Sequence, residues 1–182
     1  LSYLADMLKL NSFDTICHEH LEYYSLTSLI FLMKKHNLKI FKVTRNNING
    51  GSIRCFVTHE ENSSFDSKKN FQVIEKLINF EKKIKINNEN PYKKFVNRIQ
   101  NLKKKTNILL LNLKRQNKNI HIYGASTKGN TILQWYGIDN NLIKFAADRN
   151  KDKWNARTIS SGIQIISEKK SKKLKPDYYF VL

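Results

Sequence analysis

The stretch Asn119-Ile120-His121-Ile122-Tyr123-Gly124-Ala125-Ser126-Thr127-Lys128-Gly129-Asn130-Thr131 decides the fold. Its first five residues have the pattern of a strand, a glycine loop follows, and residues 132–135 continue as a helix. Residues 143–147 form a second strand pattern that ends in Asp148. A strand, a glycine loop, a helix and a strand ending in an acid are typical of the start of a Rossmann-type unit. With further short strands near 163–166 and 177–182, we predict an α/β protein whose residues 119–182 form a Rossmann-like parallel-sheet domain.

The glycine loop is a candidate site for an anion. Its two glycines expose backbone N–H groups at a helix N-terminus, while two hydroxyls and a lysine add donors and positive charge. The spacing fits neither Gly-x-Gly-x-x-Gly nor the Walker A pattern, so a tight turn that requires small residues is the alternative interpretation. The acid at the end of the next strand is placed to accept hydrogen bonds from hydroxyls. The predicted substrate-binding residues are Gly124, Ser126, Thr127, Lys128, Asn130 and Asp148.

A second constellation lies near the start of the chain, in the run Cys17-His18-Glu19-His20. It follows the short apolar stretch 13–16, which we interpret as a strand, so the two imidazoles and the carboxylate would lie at a strand end. Acid/base chemistry needs one imidazole that titrates near neutrality and a carboxylate that orients it. A metal site would need a third ligand at a suitable spacing, and we predict none. A polar strand end without catalytic function remains the third interpretation.

The segments between these two constellations divide the chain further. Over residues 1–60 the pattern predicts a helix that begins after Ser25, a left-handed residue at Asn37, and strands at 38–44 and 52–58 joined by a tight Asn-Gly-Gly reversal. Residues 61–118 have apolar residues at helical spacing, are rich in lysine and are interrupted at Pro91, so we predict a connector of two helices with a solvated charged face.

Composition limits the classes of partner and compartment. The net charge of +18 is compatible with nucleic-acid binding. However, the lysines occur in stretches rich in asparagine and isoleucine and form no groove-reading motif, so we do not predict nucleic-acid binding. No apolar run approaches the about 18 residues of a membrane helix, and the first residues lack a signal-peptide pattern. Two cysteines without metal-type spacing are typical of reduced thiols, so we expect a cytoplasmic protein that does not bind a membrane.

With these pieces in place, the sequence resembles the sugar-nucleotide C-methyltransferases. Five ordered blocks carry the resemblance. They are Phe13-Asp14-Thr15-Ile16-Cys17-His18-Glu19-His20-Leu21-Glu22-Tyr23-Tyr24-Ser25-Leu26, Asn49-Gly50-Gly51-Ser52-Ile53-Arg54, Tyr123-Gly124-Ala125-Ser126-Thr127-Lys128-Gly129-Asn130-Thr131, Ala147-Asp148-Arg149-Asn150 with Lys153-Trp154, and Lys175-Pro176-Asp177-Tyr178-Tyr179.

The resemblance implies a specific chemistry. Family members use S-adenosylmethionine (SAM), and the best-known ones methylate a carbon next to the ketone of a nucleotide-linked keto sugar. A base removes a proton from that carbon, and the resulting enolate takes the methyl group. The family base corresponds to His20, with Glu19 as its partner and His18 beside them. Two departures from the family pattern stand out: Cys17 occupies a position that is tyrosine in many members, and Asn49 one that is histidine in some.

The resemblance also implies a domain organisation. Residues 1–60 correspond to the last part of a SAM-dependent methyltransferase domain, 61–118 to a helical connector and 119–182 to a truncated C-terminal domain. Most of the SAM pocket and a zinc-binding segment would precede residue 1, so we expect a C-methyltransferase fragment that is inactive alone. The alternatives are a non-enzymatic nucleotide- or anion-binding module and, less favoured, a basic nucleic-acid-binding protein.

Overall fold

The computed structural model describes the backbone of residues 1–182 and every side chain except that of Asn49, so the departure from the family pattern at that residue lies outside the described side chains. The chain forms two compact units, each assembled from two stretches of sequence. Unit 1 contains residues 1–12 and 20–98, and unit 2 contains residues 13–19 and 99–182. The boundary falls inside one long helix, so the helical segment contributes to both units. The predicted assignment of residues 1–60 to a SAM domain stays a prediction.

Unit 1 is a β-hairpin covered by helices. Its elements are α1 (Leu4–Leu10), α2 (Leu26–Lys34), β1 (Leu38–Asn46), β2 (Ser52–His59), α3 (Lys68–Lys83) and the first part of α4 (Glu89–Arg115). Strands β1 and β2 pair antiparallel, with an irregularity between Ile40 and Lys42. Helices α2 and α3 both pack on β1, and the core is built from side chains such as Leu29, Val43 and Leu77.

Helix α2 begins where the sequence predicts. Ser25 has extended backbone angles, and its hydroxyl accepts from the backbone N–H of Ser28 at 3.0 Å, while the Ser28 hydroxyl accepts in return from the Ser25 N–H. A second acceptor is the carboxylate of Glu81 on α3, which is 1% exposed and receives the N–H groups of Leu26 and Thr27. The charged face of the connector helices is therefore not wholly solvated, because one of its acids caps a neighbouring helix.

Unit 2 is built on a parallel sheet of four strands in the order β5-β4-β3-β6. The strands are β3 (Ile120–Tyr123), β4 (Phe145–Asp148), β5 (Gln164–Ser167) and β6 (Tyr178–Val181), and the helices are the second part of α4, α5 (Thr127–Tyr136) and α6 (Glu168–Lys173). All three pairings are parallel. This confirms the predicted α/β class and parallel sheet, and its buried central strand is typical of sheets covered on both faces.

Two local predictions need correction. Residues 13–15 form a 3₁₀ helix and His18 and Glu19 lie in a turn, so the His-Glu-His run is not at a strand end. The physical reason is local hydrogen bonding: the Ile16 N–H donates to the Phe13 carbonyl at 2.9 Å, which no strand ladder would allow. Pro91 lies in the first turn of α4 rather than between the helices, where a missing N–H costs nothing. The interruption itself lies at residues 84–88.

Candidate active site

The predicted loop residues come together at the carboxyl edge of the unit 2 sheet. The chain runs from β3 through β4 to β5 on one side and then returns to place β6 on the other side of β3. Open α/β sheets bind ligands where the strand order reverses in this way. Gly124 follows β3 at that point, with φ of 100°, a left-handed angle that favours glycine. Its N–H donates to the Ala147 carbonyl at 2.8 Å.

The loop passes directly into α5. Ser126 is the N-cap, and its Oγ accepts from the Gly129 N–H at 3.0 Å. A Cβ added at Gly129 would lie 3.3 Å from side-chain atoms of Leu182, so this glycine is explained by close packing against the residue that follows β6. Both interpretations of the loop therefore have a structural basis: the serine and the second glycine serve the turn, and the helix N-terminus still presents its dipole.

Asp148 holds the loop in place from the end of β4. Its carboxylate accepts from the N–H groups of Ala125 and Asn150, both at 2.8 Å. Lys153 lies 3.8 Å away and donates to the Ala125 carbonyl at 2.8 Å. Burial raises the pKa of Asp148, but these N–H groups and the ammonium outweigh it and hold the pKa below the ordinary value. Asp148 is therefore an ionised structural acceptor as well as a predicted ligand.

Lys128 and Asn130 lie on the first turn of α5, where both side chains are half-buried. Among the described side chains, no carboxylate forms an ion pair with Lys128, and the Asn130 Oδ1 is buried without a hydrogen-bond partner. These two are thus the predicted loop residues whose polar groups are least committed to the turn.

Within unit 2, the structure joins the turn that contains His18 and Glu19 to the glycine loop. Residues 13–19 belong to that unit, and the 3₁₀ helix at 13–15 packs against α5, with the rings of Phe13 and Tyr136 at 5.7 Å. The Thr127 hydroxyl donates to the Glu19 carboxylate at 3.1 Å, although the two residues are 108 positions apart. One predicted catalytic residue and one predicted binding residue are therefore in direct contact.

The two histidines of the run differ in environment. His18 is exposed, whereas His20 is half-buried and belongs to unit 1. The Tyr23 hydroxyl donates to the His20 carbonyl at 3.3 Å, and the two rings meet edge to face at 6.3 Å. Cys17 is half-buried with a free thiol. The His20 imidazole therefore has a ring contact with Tyr23, while the hydrogen bond from Tyr23 fixes the His20 backbone.

Comparison with known proteins identifies the family. The sequence model of the C-methyltransferase C-terminal domain matches residues 47–182. The chain belongs to the C-methyltransferase family. It is also 33% identical over 180 residues to the C-methyltransferase NovU of Streptomyces niveus, an alignment that covers 99% of the chain and 42% of that relative. The chain therefore spans less than half the length of the relative it matches.

The sequence interpretation missed one polar cluster at the same sheet edge. The Glu168 carboxylate accepts from the Tyr123 hydroxyl at 2.5 Å and from Arg149 Nε at 2.8 Å. The Tyr123 hydroxyl and Arg149 each lower the pKa of Glu168. Arg149 belongs to one of the resembling blocks, but its partner became visible only with the parallel register of the strands.

Within the described side chains, the structure contains no group of three or more His, Cys, Asp or Glu residues able to hold a metal ion. The predicted zinc-binding segment of the family is not represented by any described residue and stays a prediction. None of the helices in the described part of the chain is both long and apolar enough to cross a membrane.

Proposed function

We propose that this chain forms the proton-abstracting part of a SAM-dependent C-methyltransferase that acts on a nucleotide-linked keto sugar in the cytoplasm. The observation that carries the proposal is the 33% identity to a C-methyltransferase over 99% of the chain, together with the family match. Because the chain spans 42% of that relative, the activity of the whole protein is itself part of the proposal.

In the proposed reaction, His20 removes a proton from the carbon next to the ketone. The C–H bond breaks, its electron pair moves into the enolate, and the imidazole holds the proton. Proton transfer by a positioned base contributes about 10²–10⁴-fold to a rate. We assign Glu19 the role of supporting the base, and its carboxylate accepts from the Thr127 hydroxyl at 3.1 Å.

The residues of unit 1 do not fit SAM. Its described strands form an antiparallel hairpin, not the parallel strand, loop and helix that bind an adenosine group. We therefore assign no residue of unit 1 to the methyl donor and derive no step through it. We assign the nucleotide and its phosphates to the glycine loop, with Lys128 and the half-buried Asn130 as the groups that contact them.

The test is hydrogen exchange of the substrate, which needs no methyl donor. The protein is incubated in D₂O with a nucleotide-linked 4-keto-6-deoxy sugar, and deuterium uptake next to the ketone is followed by NMR. His20→Gln should slow exchange by about 10²-fold or more. His36→Gln, at an exposed histidine in unit 1, is the matched control and should leave the rate unchanged. Exchange at the normal rate in His20→Gln would refute the assignment of the base.

The partner role of Glu19 has its own test. Thr127→Val removes the hydroxyl that donates to Glu19, whereas Thr127→Ser retains it. We expect the valine variant to slow exchange several-fold and the serine variant to restore it. Binding of the sugar nucleotide without any exchange, in the unmodified protein, would instead favour the binding-module alternative.

A further inference from the structure

A cavity of about 580 Å³ lies in unit 1 between α1, α3 and α4. Its apolar wall includes Leu8, Phe80 and Ile84. None of the residues that line it belongs to the His-Glu-His turn or to the glycine loop. Its size is within the range of small-molecule sites, which are commonly apolar with a few convergent polar groups.

The charged groups of this cavity are all of one sign. Five basic residues contribute to its lining, and no acidic residue does; they are Lys9, Lys83, Lys85, Lys94 and Arg98. Among the described side chains, no Asp or Glu forms an ion pair with any of the five. A low-dielectric wall beside several cations concentrates positive potential, so the cavity attracts anions.

Arg98 is the fixed member of the set. It is half-buried, its Nε donates to the Asn11 Oδ1 at 2.7 Å, and its Nη2 donates to the Leu8 carbonyl. Both acceptors are neutral, so they orient the guanidinium without balancing its charge. The side chain retains further N–H donors beyond these two contacts. An oriented, partly desolvated cation with unused donors is what a bound anion requires.

Lys85 points to the same conclusion by a different route. Its φ is 55°, a left-handed angle that glycine or asparagine adopts at lower cost. The turn between α3 and α4 therefore has no backbone reason to contain a lysine. What lysine supplies at this position is a positive charge on the cavity lining.

We propose that this cavity is a binding site for a small organic phosphate with an apolar body. The apolar wall would bury the body, and the lysines and Arg98 would hold the phosphate. Lysine suits this role because it binds phosphate as a point charge, and arginine because it presents several donors at once. The site goes beyond the proposed methyl transfer and does not depend on it.

The test compares three probes by calorimetry on the full chain: 1-naphthyl phosphate, 1-naphthol and inorganic phosphate. We expect 1-naphthyl phosphate to bind at least about tenfold more tightly than either of the others, and its affinity to fall with added salt. If 1-naphthol binds as tightly as 1-naphthyl phosphate, the positive charge does not contribute to binding. If inorganic phosphate binds as tightly, the apolar wall does not contribute. Either result overturns the proposal.

Charge-reversal variants locate the binding. Lys83→Glu combined with Lys94→Glu changes two exposed side chains. The double variant should lower the affinity for 1-naphthyl phosphate by at least about tenfold, because attraction between the side chains and the phosphate becomes repulsion. Lys69→Glu is the control: it is exposed on α3, about 21 Å along the helix from Lys83. That exceeds the screening length of about 10 Å at 0.1 M salt. If the control weakens binding as much, or the double variant leaves it unchanged with native circular dichroism, the site is refuted. Lys83→Gln with Lys94→Gln provides the same test should the reversal disturb folding.

Discussion

Glu81 offers the sharpest test of how unit 1 is held together. Its carboxylate accepts four hydrogen bonds: from the Tyr3 hydroxyl at 2.8 Å, the Leu26 N–H at 2.6 Å, the Thr27 N–H at 2.9 Å and the Thr27 hydroxyl at 2.5 Å. Burial and the carboxylate raise the pKa of Tyr3, which keeps that hydroxyl a donor. One acid on α3 therefore joins α1, α2 and α3.

The size of the expected change in the free energy of unfolding depends on which of these hydrogen bonds a glutamine at residue 81 can retain. Glu81→Gln retains one carbonyl oxygen, which can serve Tyr3 and Leu26, but its NH₂ then faces the Thr27 N–H, donor against donor. An unsatisfied buried donor costs about 1–3 kcal/mol, and the bonds that remain lose the strength of a charged acceptor. We expect the free energy of unfolding to fall by about 3 kcal/mol, and by about 4 kcal/mol for Glu81→Ala.

The assay is urea unfolding followed by circular dichroism, with amide hydrogen exchange at Leu26 and Thr27 as the local measurement. Exchange at these two amides should accelerate more than at the core of β1. The control is Glu75→Gln on the same helix, an exposed site where substitutions usually change stability by less than about 0.5 kcal/mol. A loss below about 1 kcal/mol in Glu81→Gln would show that the cap does not stabilise unit 1.

Two further predictions concern unit 2. Burial lowers the pKa of His121 from its ordinary 6.5, so as the pH falls the unfolded chain binds a proton at this residue before the folded chain does. The free energy of unfolding should therefore decrease as the pH falls below 6.5 towards the pKa of the folded state. His121→Gln should flatten this pH dependence when urea unfolding is measured at several pH values. Ser126→Ala removes the α5 N-cap and should lower the free energy of unfolding by about 1 kcal/mol in the same assay. Ser126→Asp should retain most of the stability that the cap contributes. Equal losses of stability in both variants would contradict the capping role.

Sequence patterns predicted the elements whose signals are local. The Ser25 cap, the hairpin and the strand–loop–helix start of unit 2 each depend on residues a few positions apart, and the structure confirms them. The strand prediction for residues 13–16 was wrong because a short apolar run does not distinguish a strand from other buried conformations. Phe13 and Thr15 are buried there, but their backbone groups bond locally, and none of the described strands pairs with them.

Long-range polar contacts were beyond the sequence for a different reason. Glu81 follows Ile74 and Leu77 at helical spacing, and the structure buries all three. The spacing could not name Tyr3 or Thr27 as partners, because these are 78 and 54 residues away. Such a pairing depends on the register between elements, which no single pattern encodes.

The contact between Glu19 and Thr127 also joins residues that are far apart in the sequence. Thr127 is the first residue of α5, and the cap at Ser126 and the packing at Gly129 fix the start of that helix. Because Glu19 accepts from Thr127, the carboxylate takes its position from the Rossmann-like sheet rather than from a strand of its own. The loop proposed to bind phosphates would then also position the acid proposed to support the base. A shift of α5 would therefore move the Glu19 carboxylate and the start of the glycine-loop helix together.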